Sequence, residues 1–164
     1  CNQVMIVTIP LVVYAAEYKI SQEKLYRALL VSNLLAIHQK KYIGKLSAFC
    51  GAVSAGYACG AAITYMLGGN FNQIANTIIN TLANTSGIIC DGAKPSCAAK
   101  ISSALDAALL AHTMSMHDDV FHADEGIVKD DLEKTIRAVG YIGREGMKST
   151  DIEVLNIMID KVCP

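Results

Sequence analysis

The sequence predicts an all-α domain, a helical bundle of about six to seven helices with a buried, small-residue-rich central helix. Three observations carry this. Apolar residues recur at helical rather than alternating spacing along most of the chain. Cap-forming residues stand where the periodic runs begin. Residues 46–67 run for 22 positions without a charge and are filled with Gly, Ala, Ser and Cys. Small residues let helices approach closely, which suits a helix at the centre of a bundle. The 164 residues are enough for one domain with a real core. With no Trp and 3 Phe, that core must be built from Ala, Leu, Ile, Val and Met.

Residues 4–19 form an apolar segment in which Pro10 either kinks a helix or opens one. Ser21 reads as an N-cap with Glu23 in the first turn of a helix over about 22–39, apolar nearly all round and therefore expected to be buried. The uncharged run 46–67 follows and ends at Gly68-Gly69. It is long enough to span a bilayer, but it has no second span beside it and no aromatic belt, so it reads as a buried helix. Asn70 with Gln73 makes a capping box for a helix over about 71–85. After a break at 85–87, Gly92 and Pro95 mark a turn into a helix running to about 116, with Ile101, Leu105, Ala108, Leu109 and His112 at helical spacing. A polar loop covers 117–129. Asp130 with Glu133 opens an amphipathic helix with the stripe Leu132, Ile136 and Val139, ended by Gly140, Gly143 and Gly146. Thr150 with Glu153 caps the last helix, whose stripe is Ile152, Leu155 and Ile159.

Net charge is −1, which gives no footprint for nucleic acid. The charge is uneven: residues 1–116 carry 8 Lys/Arg against 4 Asp/Glu, and residues 117–164 carry 6 against 11. The first part has the sparse charge of a core or site, the second the density of a solvated surface. Mean hydropathy is +0.35, so apolar surface is expected to meet another domain or subunit, or to be covered by self-association as a homo-oligomer. The chain begins at Cys1, and residues 1–164 read as one domain, a fragment of something longer.

Six cysteines occur, at 1, 50, 59, 90, 97 and 163. The domain is large enough to fold without a disulfide framework, and no signal peptide is visible. The thiols therefore read as reduced, in a cytoplasmic protein, either packed in the core or serving as metal ligands. The most unusual local feature is C-D-G-A-K-P-S-C at 90–97. Two thiols, a carboxylate and an ammonium crowd a Gly-Pro turn near a helix start, where the helix N-terminus and Lys94 both favour thiolate. The C-x6-C spacing matches neither a zinc ribbon nor a simple ferredoxin motif, and packed core thiols at Cys90 and Cys97 remain the alternative.

Four stretches together resemble the C-terminal half of the L-cysteine desulfidase family, related to the alpha chain of bacterial iron–sulfur serine dehydratases. They are Asn2-Gln3 before the apolar run to Pro10, S-N-L-L-A-I-H at 32–38, G-K-L-S-A-F-C-G-A at 44–52, and N-T-S-G-I-I-C-D-G-A-K-P-S-C-A-A-K at 84–100. The K-T-I-R and I-G-R-E-G-M segments within 134–147 extend the resemblance along essentially the whole chain. The resemblance implies a lyase that eliminates sulfide from L-cysteine, or water from L-serine, giving pyruvate and ammonia. It implies a [4Fe–4S] cluster held by three cysteines with one iron open, acting as a Lewis acid on the small-molecule amino-acid substrate. Cys50 and Cys90 correspond to two of the ligands. The third belongs to the family's N-terminal part, so the N-terminal domain of the same protein is an expected partner and the isolated fragment is expected to be inactive. No membrane partner is implied. C-D-G-A-K favours the desulfidase version. The alternative is a cluster-free helical domain with a structural or interaction role.

Within that resemblance, Lys94 is a candidate base if desolvation lowers its pKa, or a partner for substrate carboxylate. Asp91 is a candidate to orient Lys94 or the substrate ammonium. His38 lies on an otherwise apolar helix and is either a satisfied core residue or part of the catalytic set. Asn2 and Gln3 match the family's N-Q pair and are candidates to hydrogen-bond substrate. The family places Gly on both sides of that pair, whereas Cys1 and Val4 stand there in this chain. Cys97 and Cys59 read as packing thiols. His112, His117 and His122 recur every five residues, which rotates them off one helical face and makes a poor metal set.

Overall fold

The structure, a computed structural model, describes residues 3–161. Among these it has seven α-helices: α1 (Gln3–Glu17), α2 (Gln22–Ile43), α3 (Gly51–Met66), α4 (Phe71–Asn84), α5 (Cys97–Met116), α6 (Leu132–Tyr141) and α7 (Lys148–Met158). A π-helical turn, Ile142–Gly146, joins the last two. The predicted all-α bundle is the observed fold.

The central helix is α3, packed against α1, α2, α4 and α5. Every residue of α3 except Tyr65 is buried. Its glycines explain how four helices fit around it. A Cβ on Gly56 would stand 3.2 Å from the Ala104 Cβ, and one on Gly60 would stand 3.0 Å from the Ala108 Cβ, so α3 and α5 meet nearly backbone to backbone. No helix among the described residues is long and apolar enough to cross a membrane.

The caps explain several boundaries. Ser21 accepts from the Lys24 N–H and starts α2, and Asn70 and Gln73 form the reciprocal box that starts α4. Four expectations need correction. Helix α2 is not buried all round. Only the stripe Ala28, Ser32, Ala36, Gln39 and Ile43 faces inward, and Leu30, Leu34 and Ile37 are 58–63% exposed, because α3 takes the centre and α2 lies at the side. Helix α6 is capped by Asp131, which accepts from the Lys134 N–H, while Asp130 pairs with the Lys134 ammonium at 3.0 Å. Gly140 does not end that helix. It lets α6 lie against Tyr42 of α2, where a Cβ would overlap the Tyr42 side chain. Helix α7 begins at Lys148 without a side-chain cap, so Thr150 lies inside it, and none of its residues is buried.

Exposed apolar side chains gather on α1 (Val4, Met5, Ile9, Val12, Val13), on α2, and on α7 (Ile152, Leu155, Met158). This is where the high mean hydropathy resides, since a core of Ala and Gly cannot absorb the larger aliphatic residues.

Candidate functional site

The two loops that precede α3 and α5 meet at one point. Phe49 and Ile89 form an isolated antiparallel bridge. On one side of it the Cys50 N–H donates to the Ile88 carbonyl at 2.9 Å, and on the other the Cys90 N–H donates to the Ala48 carbonyl at 2.6 Å. Side chains alternate along paired extended segments, so Phe49 and Ile89 turn one way while Cys50 and Cys90 share the opposite side. In such a pair the two cysteines are diagonal neighbours, with Cα atoms usually about 7–8 Å apart. Forty positions of sequence are thus closed by six residues, 48–50 paired with 88–90.

Cys50 is the N-cap of α3, is 2% exposed, and makes no side-chain capping bond. The orphan N–H groups of the first turn of α3 lie at its own end of the helix. The sequence places a helix start beside both Cys90 and Cys97, whereas α5 begins at Cys97 and Cys90 stands well before it. Cys50 is the one of the two bridge cysteines that directly precedes a helix. Cys90 is half-buried and packs against the same core as Cys50. It opens onto a groove of about 470 Å³ between Leu46-Ser47 and α7, with Gly92 on its rim.

Three charged side chains stand beside the pair. The Asp91 carboxylate is bridged by Lys94, and by Lys100 at 2.7 Å, which together hold it well below the usual carboxylate range. Lys100 comes from the first turn of α5 and also donates to the Ile89 carbonyl at 2.7 Å. Its bond to Asp91 raises its pKa, and the nearby Cys50 and Cys90 thiols push it the same way. Both thiols therefore lie in the field of one ammonium. Sequence reasoning passed over Lys100. The available signal was its position at the end of the matched 84–100 stretch, three residues into a helix whose first turn faces back over the cysteine loop.

The remaining candidates disperse. Lys94 pairs with Asp91 and its side chain keeps 45% exposure, so the desolvation required of a base would have to come from whatever covers the groove. His38 bonds the Glu133 carboxylate of α6 at 2.8 Å, and Tyr42 donates to the other oxygen at 2.6 Å. It is neither a core residue nor free, but hydrogen-bonded across to α6. Gln3 opens α1 and lines a cavity of about 210 Å³ with Asn33, Ala36, Ile37 and Lys40. At 100° per residue that face of α2 lies well away from His38, so the structure does not bring Gln3 and His38 together. Asn2, Cys1 and Cys163 lie outside the described residues.

The thiol pair fits two corners of an iron–sulfur cluster's donor set. Among the described residues no group of three His, Cys, Asp or Glu is arranged to hold a metal ion. A further ligand would have to come from elsewhere, as the resemblance implies.

The family model described as "Serine dehydratase alpha chain" matches residues 2–156. The chain belongs to that family. It is 60% identical over 158 residues to a UPF0597 protein of Treponema denticola, covering 96% of this chain and 37% of that one. It is 53% identical to a UPF0597 protein of Finegoldia magna, covering 98% and 38%, and 53% identical to one of Lachnoclostridium phytofermentans, covering 97% and 38%. The chain therefore spans well under half the length of these relatives. No solved structure matches it significantly.

Within this serine dehydratase-like domain Cys59, Cys97 and His112 make packing or hydrogen-bond contacts away from the thiol pair. Cys59 is fully buried in α3, and burial pushes its thiol up to about 12. Cys97 opens α5 with its sulfur 3.5 Å from the Gly92 carbonyl, a weak contact. His112 bonds Thr64 Oγ1 at 2.9 Å, and burial lowers its pKa.

Proposed function

We propose that the full-length protein is an iron–sulfur-dependent lyase that eliminates sulfide from L-cysteine, or water from L-serine, to give pyruvate and ammonia. Cysteine elimination consumes one water and releases hydrogen sulfide. Serine elimination is balanced by the water it first releases. Membership in the serine dehydratase alpha chain family supports the reaction class. The single observation that carries the site is the pairing of Cys50 with Cys90 across the Phe49–Ile89 bridge.

Cys50 and Cys90 would hold two irons of a [4Fe–4S] cluster, with the third ligand contributed from outside the described residues. The bound cluster would supply Lewis acidity for a carboxylate and a leaving group. The chain's own residues supply charge and access. Lys100 and Lys94 provide cations near the thiols, and Asp91 neutralises part of that charge and ties the two ammonium groups to one loop. Lys94, being partly exposed, can exchange Asp91 for a substrate carboxylate. Asp91 then remains bound to Lys100 and offers its free oxygen to a substrate ammonium. The groove over Cys90, of about 470 Å³, admits a small amino acid.

The second reading is a cluster-free helical domain used for assembly. The observation that favours it is α7, which buries none of its residues and presents Ile152, Leu155 and Met158 outward.

Anaerobic reconstitution of the full-length gene product with iron and sulfide separates the two. A brown protein that forms pyruvate from L-cysteine or L-serine, and loses its colour in Cys50→Ser and Cys90→Ser, supports the lyase. A colourless protein inert towards both amino acids refutes it and favours the assembly domain.

A further inference from the structure

Cys90 lies between two anchors of a single ammonium group. Lys100 Nζ donates to the carbonyl of Ile89 and to the carboxylate of Asp91, both at 2.7 Å, the residues immediately before and after the cysteine. An ammonium has three donors, so one remains for the space where the two thiols lie. The Lys100 side chain is only 19% exposed, whereas Lys94 on the same carboxylate is 45% exposed. Residues 90–96 form no regular helix, and Gly92 sits at φ +90°, so the loop is held by turns and side-chain contacts rather than by a helix. The main-chain bonds of the bridge set the height of Cys90, but they leave the chain beyond it free to turn.

We propose that Lys100 is the positioning residue that clamps the loop on both sides of Cys90 and turns its thiol towards Cys50, making the two cysteines one bidentate soft ligand. The clamp is geometric. The helix holds the lysine stem, and the ammonium holds residues 89 and 91. The inference rests on reading Cys50 and Cys90 as the cluster-bearing pair, yet thiol pairing can be measured without iron.

The test uses the reduced full-length protein and a phenylarsenical in its trivalent form, which bridges two thiols only when they lie close together. Wild type should bind one equivalent tightly, and Cys50→Ser or Cys90→Ser should weaken that binding to what the remaining thiol can form with the third cluster cysteine. Lys100→Met keeps the stem and removes the donors. It should weaken binding by about 10–100-fold, the usual cost of losing a group that orients a ligand. Lys100→Arg, whose guanidinium can reach both acceptors, should restore affinity to within several-fold of wild type. Helical circular dichroism should be unchanged in both. If Lys100→Met fails to fold, Asp91→Ala replaces it as the test, removing one anchor with a smaller loss of affinity. Unchanged affinity in the variant tested, or full wild-type affinity in Cys50→Ser, overturns the proposal. A wild type that binds the arsenical through Cys50 and Cys90 but takes up no iron defeats the lyase reading and leaves the Lys100 clamp standing. Normal iron uptake with unchanged arsenical affinity in Lys100→Met does the reverse.

Discussion

Phe49 and Ile89 face each other across the bridge that aligns the two site cysteines, and the Phe49 ring fills the space left by Gly87 and Gly143. Phe49 is 2% exposed. Phe49→Ala should destabilise the domain by about 3–5 kcal/mol, the usual cost of emptying a buried aromatic site. Urea unfolding measures this, and the midpoint should fall without a change in slope. The thiol pair should also bind the arsenical more weakly than wild type.

The close approach of α3 to α5 predicts a steric effect. A Cβ at Gly60 would lie 3.0 Å from Ala108 Cβ and 3.1 Å from the Ala108 carbonyl oxygen. Gly60→Val forces those backbones apart and should cost about 1–3 kcal/mol or more, as overpacking does. An Ala108→Gly partner substitution should recover part of the loss, a coupling that a double-mutant cycle reads directly.

His112 predicts a pH dependence. Burial lowers its folded-state pKa, so the unfolded chain binds more protons below about pH 6.5. The stability associated with neutral His112 is present above that value and is lost as pH falls through the folded pKa. Denaturant unfolding between pH 7.5 and about 5.5 should show this decline, and His112→Gln should flatten it. A His112→Gln protein with the full wild-type slope would contradict the assignment.

Helix α7 predicts a silent substitution. Leu155 is 57% exposed and the helix buries no residue. Leu155→Asp should change the stability of this domain by less than about 0.5 kcal/mol in thermal unfolding. If the apolar face is used for assembly, the same substitution should reduce self-association or domain attachment in the full-length protein, which sedimentation velocity detects.

The helical plan was legible because it is written in short-range signals. Ser21, Asn70 and Gln73 cap their helices locally, and the small residues of 51–66 can serve only where helices touch. Thr150 and Glu153 carry the same cap signature without forming a cap, since the π-helical turn at 142–146 starts the last helix two residues earlier than Thr150. The candidate site was legible as a pair of motifs, because Cys50 and Cys90 each sit in a distinctive stretch. Lys100 was not, since its role depends on which way the first turn of α5 faces. The pairing of His38 with Glu133 was equally hidden, being a contact between positions 95 residues apart.

Peptide groups, not side chains, make the bonds that set Cys50 alongside Cys90. Side-chain changes at Ala48 or Ile88 leave the bonded carbonyls in place, whereas a proline at position 50 or 90 would delete an N–H. The placement of the two cysteine backbones is therefore insulated from most mutational drift. The side chains around the pair can change while the backbone frame beneath the two thiols is inherited intact.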